Sequence, residues 1–132
     1  MGTTAPDTPD RPRILIVEDD ETIADLVSFK FASSGYETTI AVDGGVAWNS
    51  LHEGKNLPNC ILLDLVMPGV DGFQLLEWLR NDDRFNDVPI VILTGRESDE
   101  AVKGAFERGA NDYVTKPFSP TALVARIDRL LQ

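Results

Sequence analysis

The sequence predicts a doubly wound α/β sandwich, and two observations carry that reading. From Arg13 onward short apolar runs alternate five times with longer amphipathic segments, and three of those runs are apolar at nearly every position. A continuous apolar run suits a strand buried on both faces of a parallel sheet. Strands alternating with helices of this length require right-handed crossovers and a sheet covered on both sides. The chain is 132 residues long, with 42% apolar and 26% charged residues. That fits one compact domain with a real core and excludes wholesale disorder or a fibrous repeat.

The elements follow in order. Residues 1–12 hold three prolines and, beyond Met1, no large apolar side chain; they cannot offset their own ordering entropy and are expected to form a flexible N-terminal tail. Run 13–17 (RILIV) reads as a buried strand, and Ile23, Leu26, Val27 and Phe31 then recur at helical spacing up to Gly35. Run 36–41 alternates polar and apolar residues and is expected at a sheet edge, before a helix from Val46 to Leu51 that closes near Gly54. Runs 60–63 and 89–93 are near-continuous again, separated by a helix on Phe73, Leu75, Leu76 and Leu79. A helix on Ala101, Val102, Ala105 and Phe106 closes at Gly109, strand 112–115 follows, and Leu123, Ile127, Leu130 and Leu131 mark the last helix. Gly35 and Gly109 stand where a left-handed residue ends a helix.

The formal charge of −10 and a pI near 4.4 argue against a chain that grips nucleic acid or anionic lipid through a general basic surface. The single cysteine, Cys60, has no internal disulfide partner, and neither a signal-like N-terminus nor a run of about 18 apolar residues stands in the sequence. A cytoplasmic protein without membrane contact is expected. Asp20 reads as a helix N-cap, His52 as a solvated helix-end group, Cys60 as a small buried hydrophobe, and Trp48 and Trp78 as partial core.

In an open parallel sheet, ligands bind beyond the carboxyl ends of the strands. Here the first strand runs into Glu18-Asp19-Asp20, the third into Asp64, the fourth into Thr94 and the fifth into Lys116-Pro117. Carboxylates crowded at one edge repel each other unless a cation compensates. An all-oxygen set suits Mg²⁺, and Mn²⁺ would fit it as well. With such a cation, a strand-end carboxylate can act as a nucleophile on phosphorus while an ammonium and a hydroxyl meet the phosphoryl oxygens. Asp64, between the acid pair and the lysine, is the candidate nucleophile.

The run Ile-Leu-Ile-Val-Glu18-Asp19, then Leu-Leu-Asp64-Leu-Val-Met-Pro68-Gly-Val-Asp-Gly72, then Ile-Leu-Thr94-Gly95, then Asp-Tyr113-Val-Thr-Lys116-Pro117-Phe118 resembles the receiver domain of two-component response regulators over residues 13–132. The resemblance implies a flavodoxin-like five-stranded parallel sheet of order 2-1-3-4-5 with five helices. It makes Asp64 the phosphoacceptor. It makes Asp19 and Asp64 direct Mg²⁺ ligands, with Glu18 acting through water and the Val66 backbone carbonyl completing the set. Thr94 resembles the switch hydroxyl, Lys116 the phosphoryl-binding ammonium and Tyr113 the aromatic that turns inward on activation, and the Lys116-Pro117 bond is expected to be cis.

By the same resemblance, a histidine kinase or histidine phosphotransfer protein is the expected partner. The face made by the fourth helix, fifth strand and fifth helix is the expected output surface, and a homodimer through it is a further expectation. Lys103, Asp112 and Arg126 match charged positions of that surface, whereas Ala122 and Asn111 stand where acids are usual. Val66 and Arg96 stand at the pocket rim, where an apolar residue and a long cation should hinder water and slow self-dephosphorylation. Two other classes compete. A haloacid-dehalogenase-type phosphatase needs a second Asp two residues after the nucleophile, where Val66 stands, so turnover of an outside substrate is not expected. A pseudo-receiver, a phosphorylation-independent interaction module, is the alternative that all five pocket side chains speak against. With residues 13–132 assigned, no length remains for an effector, so the chain reads as a stand-alone regulator or as the N-terminal piece of a longer one.

Overall fold

The computed structural model describes residues 11–54 and 56–132; residues 1–10 of the expected tail lie outside it. Five strands, β1 (Arg13–Val17), β2 (Glu37–Ala41), β3 (Cys60–Leu63), β4 (Ile90–Thr94) and β5 (Asp112–Thr115), alternate with α1 (Glu21–Ser33), α2 (Gly44–Glu53), α3 (Gly72–Arg80), α4 (Asp99–Glu107) and α5 (Pro120–Leu130). All pair in parallel in the order β2-β1-β3-β4-β5. This is the doubly wound sheet that the sequence predicts, with its topological switch between β1 and β3.

The strand period of two divides the core into halves. Leu15, Val17, Ile61, Leu63, Ile90 and Ile92 pack with Ala47, Leu51, Leu75, Leu76, Leu79 and Ala105 of α2, α3 and α4. Ile14, Ile16, Cys60, Leu62, Val91 and Leu93 pack on the other side with Val27 and Phe31 of α1 and Leu123, Val124 and Ile127 of α5. Such residues leave no solvated face, which is why β1, β3 and β4 read as continuous apolar runs. β2 lies at the edge, as its alternation indicates.

Every helix starts on an oxygen side chain. Asp20, Asp43, Asp71, Ser98 and Ser119 accept hydrogen bonds from the N–H groups of Ile23, Val46, Gln74, Ala101 and Ala122, each cap contributing about 1 kcal/mol. Gly35 and Gly109 end their helices at φ of 97° and 102°. Two details differ from the sequence reading. Leu26 is 48% exposed, because Ala24, Val27 and Phe31 already fill the inward stripe of α1. Tyr36 precedes β2: its N–H closes α1 onto Phe31 O at 3.0 Å and its ring meets that of Phe31 edge-on at 5.0 Å. Among the described residues no helix is long and apolar enough to cross a membrane.

Candidate functional site

Because the strands are parallel, their carboxyl ends share one edge, and the residues that follow them meet there. Glu18 N–H bonds Ala41 O at 3.0 Å, Asp64 N–H bonds Val17 O at 3.1 Å, and Lys116 N–H bonds Thr94 O at 2.8 Å. The sheet ladder thus continues one residue past the strands and fixes where each side chain departs.

Lys116 Nζ donates to Glu18 Oε1 at 2.6 Å and to Asp64 Oδ2 at 3.1 Å. Asp64 Oδ1 accepts from Val66 N–H at 3.1 Å, and Glu18 Oε2 accepts from Asp20 N–H at 3.1 Å. Glu18 and Asp64 are buried, while Asp19 is exposed beside them. Carboxylate oxygens of Glu18, Asp19 and Asp64 all lie within 4.8 Å of one another. Burial lifts the Glu18 carboxyl above the usual carboxylate range, against the pull of Lys116 and the Asp20 N–H, and the charge of Asp64 adds to the rise. Burial disfavours the charge on Lys116, but its bonds to Glu18 and Asp64 outweigh that and raise its pKa. Three carboxylates face one ammonium, so the site carries an excess of negative charge on oxygen donors alone. That donor set fits a hard divalent cation.

Gly72, at the start of α3, lets the helix approach this edge: a Cβ there would stand 2.2 Å from Asp64 O. No side chain fits such a gap. The Lys116-Pro117 bond is cis, as expected.

Thr94 ends β4 with its side chain fully buried, and its Oγ1 is 3.5 Å from Arg96 N–H. Tyr113, half-buried, packs against the α2-α3-α4 side of the core and donates its hydroxyl to Arg96 O at 2.8 Å. Of the residues singled out in the sequence, Glu18, Asp64 and Lys116 are in direct contact. Asp19 completes the carboxylate cluster, Val66 joins through its N–H, and Thr94 and Tyr113 meet at the loop after β4.

His52 is exposed in the last turn of α2, as expected, and in addition its ring centre lies 4.1 Å from that of Trp48 and its Nε2 3.5 Å from Asp82. Other residues stand differently from their sequence reading. Asn111, expected at the output surface, turns its Oδ1 to Ile90 N–H and Arg80 Nη2, both at 2.8 Å. The Phe73 ring carries two guanidinium groups, of Arg96 at 5.7 Å and Arg108 at 4.8 Å. Nothing in the local sequence marks that cluster, which forms only because α3 and α4 are neighbours on one face.

The model of the response regulator receiver domain family matches residues 14–128. The DNA-binding dual master transcriptional regulator RpaA of Synechocystis sp. is 41% identical over 121 residues, covering 92% of this chain and 49% of that protein. The phosphate regulon transcriptional regulatory protein PhoB of Escherichia coli is 42% identical, covering 91% of this chain and 52% of that protein. The chain therefore spans about half the length of the curated relatives it matches. Among solved structures, a response regulator of Chloroflexus aurantiacus superposes with a TM-score of 0.86 at 35% identity, covering 92% of this chain and 98% of that one. Chemotaxis protein CheY4 of Vibrio cholerae follows with 0.85 at 29% identity, covering 92% and 99%. With the strand order, the acid–lysine edge and these likenesses in agreement, the chain belongs to the response regulator receiver domain family of two-component systems.

Proposed function

We propose that this receiver takes a phosphoryl group onto Asp64 from the phosphohistidine of a histidine kinase or phosphotransfer protein. One observation carries the reading: Lys116 Nζ bridges buried Asp64 and Glu18 at 3.1 and 2.6 Å, with Asp19 closing the carboxylate cluster. Asp64 Oδ2 attacks phosphorus, the phosphorus–nitrogen bond of the donor breaks, and its electron pair stays on the imidazole. Lys116 neutralises one phosphoryl oxygen, and the Val66 N–H keeps the carboxylate oriented through Oδ1. Mg²⁺ or Mn²⁺, held by Asp19, Asp64, the Val66 carbonyl and, through water, Glu18, would supply the positive charge that lets a dianion enter an acidic pocket.

Phosphorylation adds about two negative charges and three acceptor oxygens. The Thr94 hydroxyl moves to one of those oxygens and Tyr113 turns into the space it leaves. The β4–α4 loop carries that shift to the face of α4, β5 and α5, a two-state element biased by a local charge. That face controls a partner or an output domain, or pairs with a second copy; this chain does not itself bind nucleic acid. Reset is by hydrolysis of the acyl phosphate, with no outside substrate turned over.

Intact mass after incubation with Mg²⁺ and acetyl phosphate tests the reading. A phosphate-sized gain is expected, lost on chelation of the metal and in Asp64→Asn. No gain from acetyl phosphate or from any kinase would make the chain a phosphorylation-independent interaction module.

A further inference from the structure

The chain has two tryptophans, and the packing of α2 beside α3 brings both to one place. The rings of Trp48 and Trp78 meet at 5.3 Å between centres, with their planes tilted by 56°. Each packs partly against the core and is half-buried, so the rest of both indoles faces solvent. His52, one turn beyond Trp48, holds this corner in place. Its Nδ1 is 2.9 Å from Trp48 O, its ring centre is 4.1 Å from that of Trp48, and its Nε2 is 3.5 Å from Asp82 Oδ2. A series of contacts therefore runs from Trp78 through Trp48 and His52 to Asp82.

Trp48, Trp78, Asn81, Asp82 and Asp83 line one open groove of about 560 Å³. Because α3 starts against Asp64 at Gly72 and runs away from it, Trp78 and the groove lie toward its far end. Two carboxylates in the wall exclude an anion, and an uncharged apolar ligand would strip them of water without replacing it. A cation suits both kinds of wall, since tryptophan is the best cation–π face and a carboxylate accepts charged N–H groups. Asp82 is already engaged, by the Arg84 N–H at 3.1 Å, by Arg84 Nε at 3.5 Å and by His52. Asp83 takes part in none of the ion pairs among the described residues, so its charge is open to a ligand. A guanidinium suits the corner better than an ammonium, because it is planar, stacks on an aromatic face and still presents N–H donors at its edge. The net charge of −10 attracts a basic partner from a distance.

We propose that the Trp48–Trp78 groove is a docking site for a basic segment of a partner protein, seating one arginine side chain on the indole faces with its N–H groups on Asp83. The occupant is a peptide segment rather than a free cation, because the groove holds far more than one guanidinium and leaves room for the backbone that carries it. The site is independent of the Asp64 assignment, and binding there leaves the acid–lysine edge free.

Both tryptophans of the chain line the groove, so intrinsic fluorescence reports on it alone. The probe is a capped Gly-Arg-Gly-Arg-Gly peptide, compared with the same peptide carrying citrulline, which keeps the shape of arginine without its charge, and with N-acetyl-arginine amide. The arginine peptide is expected to give a saturable change in emission at about 1 mM or below. Its affinity should fall about 2- to 5-fold in Asp83→Asn, an exposed position whose substitution spares the fold. Trp78→Leu, followed through Trp48, should weaken binding by about the same factor, that of one exposed cation–π contact. No saturable change up to about 10 mM, equal binding of the citrulline peptide, or an affinity unchanged in Asp83→Asn overturns the proposal. Binding of N-acetyl-arginine amide as tight as that of the peptide would make the groove a small-cation site. The same emission change on raising the protein concentration without peptide would make a second copy the occupant. Either of these results also overturns the proposal.

Discussion

At the scale of single residues, Lys116 is what allows Glu18 and Asp64 to be buried side by side, and Asp19 is the acid with no such counterweight. Asp19→Asn removes a like charge from the cluster and, in the presence of a chelator, is expected to leave stability unchanged or raise it by about 0.5 kcal/mol. Mg²⁺ should stabilise the native protein by about 2.7 kcal/mol at a hundred times its dissociation constant. Most of that gain should vanish in Asp19→Asn, read as the metal-dependent shift of the melting temperature. Cys60 gives a second test. Burial pushes its thiol up from 9.0 to about 12. A group whose pKa is raised on folding contributes stability below its unfolded pKa and loses it as pH rises through the folded one. Stability against urea should therefore fall from about pH 9 toward about pH 12, less steeply in Cys60→Ala. At this scale the candidate site was readable because each reactive residue directly follows or ends an apolar run. The contacts of Phe73, Gly72 and Arg80 were not, since they depend on which helix lies beside which strand end.

At the scale of elements, side chains rather than helix propensity join the pieces at the amino ends of the strands. The Arg80 guanidinium, at the end of α3, donates to Gly109 O at 3.0 Å, Phe85 O at 2.6 Å, Val88 O at 2.9 Å and Asn111 Oδ1 at 2.8 Å. It thereby ties α3 to the short 3₁₀ turn Asp83–Phe85, the entry to β4 and the turn before β5. Lysine has neither the planar fork nor enough donors for four acceptors. Arg80→Lys should cost about 1–2 kcal/mol in denaturant unfolding, because partly buried carbonyls lose their partners. On the other side, Tyr36 donates its hydroxyl to Asp128 Oδ1 at 2.6 Å and links the end of α1 to α5. Tyr36→Phe should cost about 1–2 kcal/mol by the same measurement. The element order was legible because burial on both faces leaves a continuous apolar run. The 3₁₀ turn was not: it is capped by Asp82 Oδ1 on the Arg84 N–H and held by the Arg80 guanidinium on the Phe85 carbonyl, and neither contact leaves an apolar period.

At the scale of the whole molecule, the same topology explains both the legibility and its limit. A parallel sheet with alternating helices must bring its strand ends to one edge, so alternation alone implied where Glu18, Asp64, Thr94 and Lys116 would meet. Their distances, the burial of Glu18 and the parking of Arg96 on Phe73 depend on helix packing, which periodicity does not encode. Of the 22 acidic residues, three gather at this edge, where two buried carboxylates and one exposed carboxylate share a single ammonium. Asp64 is the central assignment. Phosphorylating the protein with acetyl phosphate and Mg²⁺, reducing with borohydride and sequencing the peptides by mass locates the modified residue, because reduction converts an aspartyl phosphate to homoserine. Homoserine at position 64 alone is the expected result; the reduced residue at 18, 19 or 20, or no reduced residue, would contradict it.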